Sequence, residues 1–528
     1  MKKFNTTGTC VPEEDYMVDI SGRATQIKKL VDNRLYLVIE KPPKLGKTTM
    51  LAALERVLTD SGYTVISINF GHLDGDCFKW EEIFCVGFIK QAVNALQFAV
   101  CDRDYIKHWA DYNISDIDSL GRHIGRMCKG KKVVLIIDGA DKNRDSHIFL
   151  RFLNMLRTRY IASEIIGRDA FHSVILAGVN GIKSIKIPEN VSAHTPKTYN
   201  TMSNITAEYS GNMLFTPAET AAMLKEYKED NIVDMDIAAI SQAIHDYTGG
   251  HPYLMSKLCK CIDEDLERDW TADGLLTAVK LLLGEKNTML ASIICAVEND
   301  AYLYELVYDI LITGEYRKYE PDVDFISAGE RIGLIKQTDG DIISRIATEL
   351  NITSNGMCLA NRIYEMLFCN YFISQMDITP VPKDININCG GKFSMERCLE
   401  RFAEYYAETS AGRNTEYLER SSRVMFLAYL KEYMSIYGLC YIDSGNTNMC
   451  RMDITAEIGG EQYIIELRTQ SGRSQYKDDI YQEFADYLES RGKMKGYLAV
   501  FDFRHDADEE RRAEYIEIDG KTILEVAV

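Results

Sequence analysis

Two hydrophobic periods alternate along this chain. Leu35-Tyr36-Leu37-Val38-Ile39 is an unbroken apolar run, short enough for a buried strand. A loop, Glu40 to Gly46, follows it. From Lys47 onward apolar residues recur at Leu51, Leu54 and Leu58, the spacing of one helix face. Tyr63–Phe70 (YTVISINF) alternates β-branched residues and predicts a second strand. Val133 to Ile137 is apolar throughout and ends in Asp138, and Ser173–Gly178 (SVILAG) predicts a further buried strand. Residues 78–127 are amphipathic in patches, and 147–161 reads as a helix. Strands alternating with helices predict an α/β unit with a parallel sheet.

The pattern then changes. Thr216–Tyr227 opens Thr-Pro-Ala-Glu, a helix start with proline in its first turn. Ile237–Tyr247 and Tyr253–Leu266 are helical on either side of Thr248-Gly249-Gly250-His251-Pro252, so residues 206–285 fit a small helical lid. Leu303–Thr313 and Asp322–Gly333 read as helices. Leu334-Ile335-Lys336, a turn at Asp339-Gly340-Asp341 and Met357–Ala360 read as a β-wing. That order suits a winged helix, or else a plain helical spacer. Asp322 and Asp324 argue against insertion of this helix into a DNA groove, because they repel phosphates. Residues 377–391 carry two prolines and two glycines and read as a linker. Residues 394–438 are mainly helical, with an apolar face at Val424, Leu427, Tyr429 and Leu430. Next come a hairpin through Arg451–Ile454 and Gln462–Arg468, a helix at Ile480–Leu488 and a strand at Gly496–Phe503.

Two places carry candidate chemistry. Strand, loop, Gly46-Lys47-Thr48-Thr49 and helix is the order of a phosphate-binding loop. Amides at the helix start face phosphate, Lys47 reaches the β/γ phosphates, and the Thr48 hydroxyl takes Mg²⁺. Asp138, at the end of a buried strand, suits the same ion. The usual first glycine of such a loop is replaced by Lys41, within Lys41-Pro42-Pro43-Lys44. The glutamate that commonly follows the strand-end aspartate is Gly139, with Asp141 two residues further on. Asn180 either senses the γ-phosphate or shapes the turn before Gly181. The second place is the hairpin. Asp453 and Glu466 sit on adjacent strands, and together they suit a divalent ion that activates water. Glu419 approaches from the preceding helix and Gln482 from the following one. The E-x-K pattern of such sites here ends in Arg468, and arginine does not replace lysine as a base. On these residues alone the hairpin carboxylates also fit a surface ion pair.

Composition narrows the classes. At 528 residues, with 46 % hydrophobic residues, the chain has room for about three or four domains. A net charge of −19 disfavours a protein that coats nucleic acid, without excluding a local basic groove. The 14 cysteines include no C-x-x-C pair, which points to reduced thiols and away from structural zinc. No apolar run reaches a membrane span and no apolar segment follows Lys2-Lys3, so a cytoplasmic protein without membrane partners is expected.

Several segments together resemble a bacterial family that joins a STAND/AAA-like P-loop ATPase to a C-terminal PD-(D/E)xK nuclease-like domain. They include FNTTGTCVPEEDYMVDISGRATQIKKLVDNRLYLVI, LGKTTMLAALERVL, VVLIID, SVILAGV, YTGGHPYLMSKLCKCIDE, LANRIYEMLFCNYF, RMDI, GGEQYIIELR and YLESRGKMKGYLAVFDFR, and they span nearly the whole chain. The resemblance implies an ATPase core at 1–205, a lid at 206–285, a winged-helix-like domain at 286–376, a linker at 377–391 and a nuclease-like domain at 392–528. It implies ATP and Mg²⁺ as cofactors. Lys44, Gly46, Lys47, Thr48, Thr49, Asp138 and Asn180 would stand at the nucleotide, with Thr48 and Asp138 on its metal. Gly250 and Pro252 match the lid motif. Asp453, Glu466, Arg468, Glu419 and Gln482 match the nuclease centre, with Asp453 and Glu466 as metal ligands. The family pattern has glutamate at Gly139 and lysine at Arg468. A diverged member is therefore expected, a nucleotide-dependent switch with weak or lost catalysis. The alternatives are an ATP-regulated, Mg²⁺-dependent DNA endonuclease and a nucleotide-driven sensor that assembles into homo-oligomers.

Overall fold

The apolar runs become strands because each buries both of its faces. The computed structural model describes residues 2–99, 102–110, 114–142, 146–167, 169–179, 206–313, 317–338, 356–376, 388–389, 392–442, 451–458, 461–470, 477–503 and 513–528. It divides into two compact units, Met1–Ser241 with Gly250–Lys260, and Gln242–Gly249 with Cys261–Val528.

The first unit is an α/β fold. Its elements run α1 (Ser21–Asp32), β1 (Tyr36–Glu40), α2 (Lys47–Asp60), β2 (Thr64–Asn69), α3 (Glu81–Ala99), α4 (Arg103–Trp109), α5 (Ile117–Cys128), β3 (Val133–Asp138), α6 (His147–Ile166), β4 (Ser173–Gly178), β5 (Thr206–Glu208) and α7 (Pro217–Asn231). The five strands pair in the order β2-β3-β4-β1-β5, all parallel. Alternate residues of each strand enter opposite cores. Leu37, Ile39, Val134, Ile136, Ile175 and Ala177 pack with Met50, Leu51, Leu54 and Leu58 of α2 and Ala24, Ile27 and Val31 of α1. Val38, Ile66, Leu135, Ile137 and Leu176 pack with the aromatic residues of α3 and α6, among them Phe84, Phe88, Phe149 and Phe152. Helices therefore cover both faces, and the strand C-terminal ends form one edge. At α7, Thr216 and Glu219 form a capping box with Pro217 in the first turn.

Helices α8 (Ile237–Thr248) and α9 (Pro252–Glu264) each begin in the first unit and end in the second. The second unit continues with α10 (Ala272–Gly284), α11 (Thr288–Glu298), α12 (Ala301–Tyr308) prolonged by a π-helical stretch Asp309–Thr313, α13 (Asp324–Arg331), β6 (Ile335–Gln337), β7 (Met357–Leu359) and α14 (Arg362–Ser374). β6 and β7 pair antiparallel; the expected turn at 339–341 lies outside the described residues. Most of the expected linker does too, although β8 (Asn388–Cys389) pairs with β9 (Lys392–Phe393).

The last segment carries α15 (Met395–Ser410), α16 (Thr415–Tyr437), β10 (Gly438–Ile442), β11 (Arg451–Ile458), β12 (Glu461–Gln470), α17 (Lys477–Ser490), β13 (Lys495–Asp502), β14 (Ala513–Ile518) and β15 (Lys521–Ala527). Its six-stranded mixed sheet has the order β10-β11-β12-β13-β15-β14. Ile464, Leu498, Val500 and Ile523 pack against Ile480, Phe484 and Leu488 of α17. On the other face Phe501 meets Phe402 and Tyr406 of α15. Within this unit α16 is tied to the α12 stretch. Tyr308 donates to the Arg420 carbonyl (2.8 Å), Arg420 Nη2 to Glu305 (2.6 Å), and Arg423 Nη1 to the Ile312 carbonyl (2.9 Å). Among the described residues no helix is long and apolar enough to cross a membrane.

Candidate functional site

The turn from β1 into α2 leaves its backbone open at Gly46. Gly46, the residue before α2, is left-handed at φ +78°, and nothing lies within 4 Å of a Cβ added there. Conformation rather than crowding therefore selects glycine. Lys44 is also left-handed, at φ +61°, and its ammonium lies 5.2 Å from the centre of the Tyr253 ring. Lys47 folds back along the loop and donates to the carbonyls of Lys41 (2.7 Å) and Pro42 (2.8 Å). Burial pushes its ammonium down to about 8, opposed by the negative charges of Asp138 and Asp141. Lys41 is also lowered by burial, against the pull of Glu208.

The Thr48 hydroxyl donates to Asp138 Oδ2 at 2.7 Å, and the Gly139 amide donates to Asp138 Oδ1 at 2.9 Å. The sheet register explains this meeting. One strand, β4, lies between β1 and β3, and Asp138 ends β3 level with Ala177 of β4 and Asn69 of β2. The exposed hydroxyl and the carboxylate are hard oxygen donors on one edge, a set that fits Mg²⁺ completed by phosphate and water. Among the described residues no group of three His, Cys, Asp or Glu side chains is placed to hold a metal. Any ion here would depend on the nucleotide for further ligands. Asn180 lies outside the described residues.

A cavity of about 320 Å³ opens beside this edge, within the range of ligand pockets. Lys44 to Met50 form one side of it. The other walls were only partly foreseen. Asn5 to Cys10 line it, together with Met17, Val18, Met213, Phe215, Tyr253 and Met255. The N-terminal segment is among those that carry the resemblance, but its side chains hold no motif of their own. What holds it is tertiary. The Cys10 amide donates to Thr49 Oγ1 (3.2 Å), Asn5 Oδ1 accepts from the Thr7 and Gly8 amides, and buried Asp15 accepts from Asn5 and from the Val11 amide. Phe4, Tyr16 and Tyr227 then pack their rings at 5.1–5.2 Å, fastening the segment to α7. Arg23 bonds the Asn212 and Leu214 carbonyls and pairs with Glu219 at 2.8 Å, which fixes the wall at Phe215.

The C-terminal hairpin is arranged differently. Asp453 and Glu466 are directly opposite in the β11–β12 ladder. Glu466 is fully buried, and Arg468, two residues along the same face, bonds it through Nε. Arg468 Nη2 reaches Glu483 of α17 at 3.0 Å. The guanidinium thus bridges two carboxylates from two elements. Gln482 does not join them; its amide donates to Asp519 (2.6 Å) and Asp486 (3.3 Å). Glu419 is exposed and makes no hydrogen bond or ion pair among the described residues. Helix α16 instead reaches β12 through Arg423, which donates to Thr469 Oγ1 at 3.2 Å. Thr469 follows Arg468, and successive strand residues face opposite sides. The helix carrying Glu419 therefore packs on the side of the sheet away from Glu466.

No family model matches the chain, and no curated protein matches it. Among solved structures it is similar to the Walker-type ATPase of Pyrococcus abyssi, at 12% identity and TM-score 0.46, over 68% of this chain and 98% of that one. It is similar to the RuvB Holliday junction branch migration motor of Thermotoga maritima, at 12% identity and TM-score 0.34, over 66% and 99%. It is also similar to AMPPCP-bound DnaA from Aquifex aeolicus, at 14% identity and TM-score 0.30, over 81% and 99%. At these identities and TM-scores the likeness decides nothing about the activity, and the reading rests on the site itself. That site is a phosphate-loop turn on an α/β sheet with helices on both faces.

Proposed function

We propose that the chain is an AAA-like P-loop protein that binds Mg-ATP and acts as a nucleotide-dependent switch, with a C-terminal nuclease-like domain whose catalysis is weak or lost. One observation carries the nucleotide reading. A left-handed Gly46 starts α2 beside Lys47, the Thr48 hydroxyl bonds Asp138 at the edge of a parallel sheet, and Gly46, Lys47 and Thr48 border a cavity of about 320 Å³. Amides at the helix start and Lys47 would take the β/γ phosphates, and Thr48 and Asp138 the Mg²⁺. The ion supplies charge neutralisation on the phosphates. The apolar walls at Met17, Val18, Phe215 and Met255 exclude water around a base. The test is thermal unfolding with and without Mg-ATP, since a ligand that binds the folded state raises Tm. A shift that disappears in Lys47→Ala supports the reading, and an unshifted, folded wild-type protein removes it.

The Arg468 bridge supports weak or lost cleavage. A guanidinium paired with Glu466 and Glu483 already neutralises the carboxylate that a divalent ion would need. Single- and double-stranded DNA incubated with Mg²⁺ or Mn²⁺, with and without ATP, beside an Asp453→Ala control, decides this. Cleavage lost in the control would establish the endonuclease instead.

A further inference from the structure

We propose that Asp141 is the catalytic carboxylate that orients and deprotonates the attacking water when this protein hydrolyses the terminal phosphate of a bound nucleoside triphosphate. The inference rests on the nucleotide reading above and concerns the same site.

The backbone after β3 delivers this residue. Gly139 follows Asp138 and is left-handed at φ +69°. An added Cβ would find only ordinary contacts there, Asn69 Oδ1 at 3.4 Å and the Gly71 amide at 3.6 Å, so the turn rather than crowding requires glycine. The turn is fastened one residue on, where the Ala140 amide donates to the Ala177 carbonyl at 3.0 Å. Asp141 is thereby laid over the end of β4. A Cβ built on Gly178 would stand 2.4 Å from Asp141 Oδ1 and 3.0 Å from Asp141 Cβ, so the carboxylate occupies the space a side chain at 178 would need. Gly178 is level with Glu40, the last residue of β1, and its carbonyl accepts from the Lys41 amide at 3.2 Å. The carboxylate therefore stands beside the start of the phosphate loop.

Its surroundings fit work on substrate rather than on structure. Asp141 makes no hydrogen bond and no ion pair among the described residues, while its charge acts on Lys47 together with that of Asp138. Asp138 is engaged by Thr48 and Gly139, which suits a metal ligand and leaves the other role to Asp141. In the step, the water oxygen bonds to the γ-phosphorus as the bond from that phosphorus to the β,γ-bridging oxygen breaks. The electron pair leaves on the nucleoside diphosphate. One water proton passes to the Asp141 carboxylate and then to solvent.

The experiment uses the full chain with Mg-ATP, reading binding by titration of a fluorescent ATP analogue and turnover by phosphate release. Asp141→Asn is expected to lower kcat about a hundredfold or more and to hold Kd within about threefold. Gly178→Ala, whose methyl displaces the carboxylate without removing it, is expected to lower kcat in the same direction. A structural role would move Tm and Kd instead. If Asp141→Asn fails to fold, Gly178→Ala decides alone. Wild-type turnover in the variant that folds overturns the assignment, as does a wild-type protein that binds ATP and never hydrolyses it; both leave nucleotide binding standing. A folded wild-type protein that binds no nucleotide removes both readings.

Discussion

Burial holds the Lys47 ammonium at about 8, well below its ordinary 10.5, although Asp138 and Asp141 pull the other way. A bound triphosphate adds negative charge and favours the ammonium, so binding raises its pKa and takes up a proton where the free site is neutral. Affinity for Mg-ATP is therefore expected to fall as pH rises through about 8, by up to about tenfold per unit. Calorimetry in buffers of different ionisation enthalpy reads the proton, and Lys47→Arg, charged throughout, should lose the slope. A pH-independent Kd across this range in wild-type protein would count against it. His251 is the acid counterpart. Complete burial holds its imidazole at about 4 against an ordinary 6.5. Its folded pKa is depressed, so its contribution is fully present above 6.5 and is lost as pH falls through 4, of order 3 kcal/mol in all. Thermal melts of wild type and His251→Gln over that window should diverge in their acid slopes. At this scale the sequence was most legible where geometry follows the backbone order, as in the turn that brings Thr48 to Asp138. It was least legible where a turn re-aims a side chain. Gly139 reads as a lost glutamate, and only its positive φ shows where Asp141 goes.

Elements were legible wherever burial alone decides the period. β1, β3 and β4 are continuous apolar runs because both of their faces are covered, and α2 shows its face at Leu51, Leu54 and Leu58. The wall at Asn5–Cys10 was not, because side-chain turns and an aromatic cluster hold it rather than any period. Between elements, Gly250 ties the start of α9 to the residues that precede α7. It is left-handed at φ +75°, its carbonyl accepts from the Phe215 amide at 2.8 Å, and a Cβ there would fall 2.1 Å from the Phe215 carbonyl oxygen. Gly250→Ala is expected to cost about 2 kcal/mol or more and to weaken nucleotide binding through Phe215, read by Tm and by analogue titration. In the C-terminal sheet, Arg468→Ala leaves Glu466 buried without its guanidinium. About 3 kcal/mol should be lost, and denaturant unfolding measures it. An unchanged midpoint would mean that the bridge does not hold β12 to α17.

At the scale of the whole molecule, the second unit runs across the expected linker at 377–391. Within the second unit Tyr308, Arg420 and Arg423 bind α16 to the α12 stretch, on the far side of that linker in sequence. Tyr247 at the end of α8 donates to Glu457 of β11 at 3.3 Å, more than two hundred residues along the chain. A fragment of residues 261–528 lacks that tyrosine, and it should melt below a fragment of residues 237–528 in circular dichroism. Equal midpoints would show that Gln242–Gly249 adds nothing to the second unit.

The passage of the chain between its two units inside α8 and α9 also bears on inheritance. Domains that meet at a loop can be shuffled by one recombination event, but here each unit owns a stretch encoded between two stretches of the other. A gene that captured the six-stranded sheet from residue 261 onward would leave Tyr247 behind, and one that kept only residues 1–241 would discard Pro252 and Tyr253 from the cavity wall. No single breakpoint keeps both units whole, so the loop between β1 and α2, the helices around Gly250 and the C-terminal sheet should descend together.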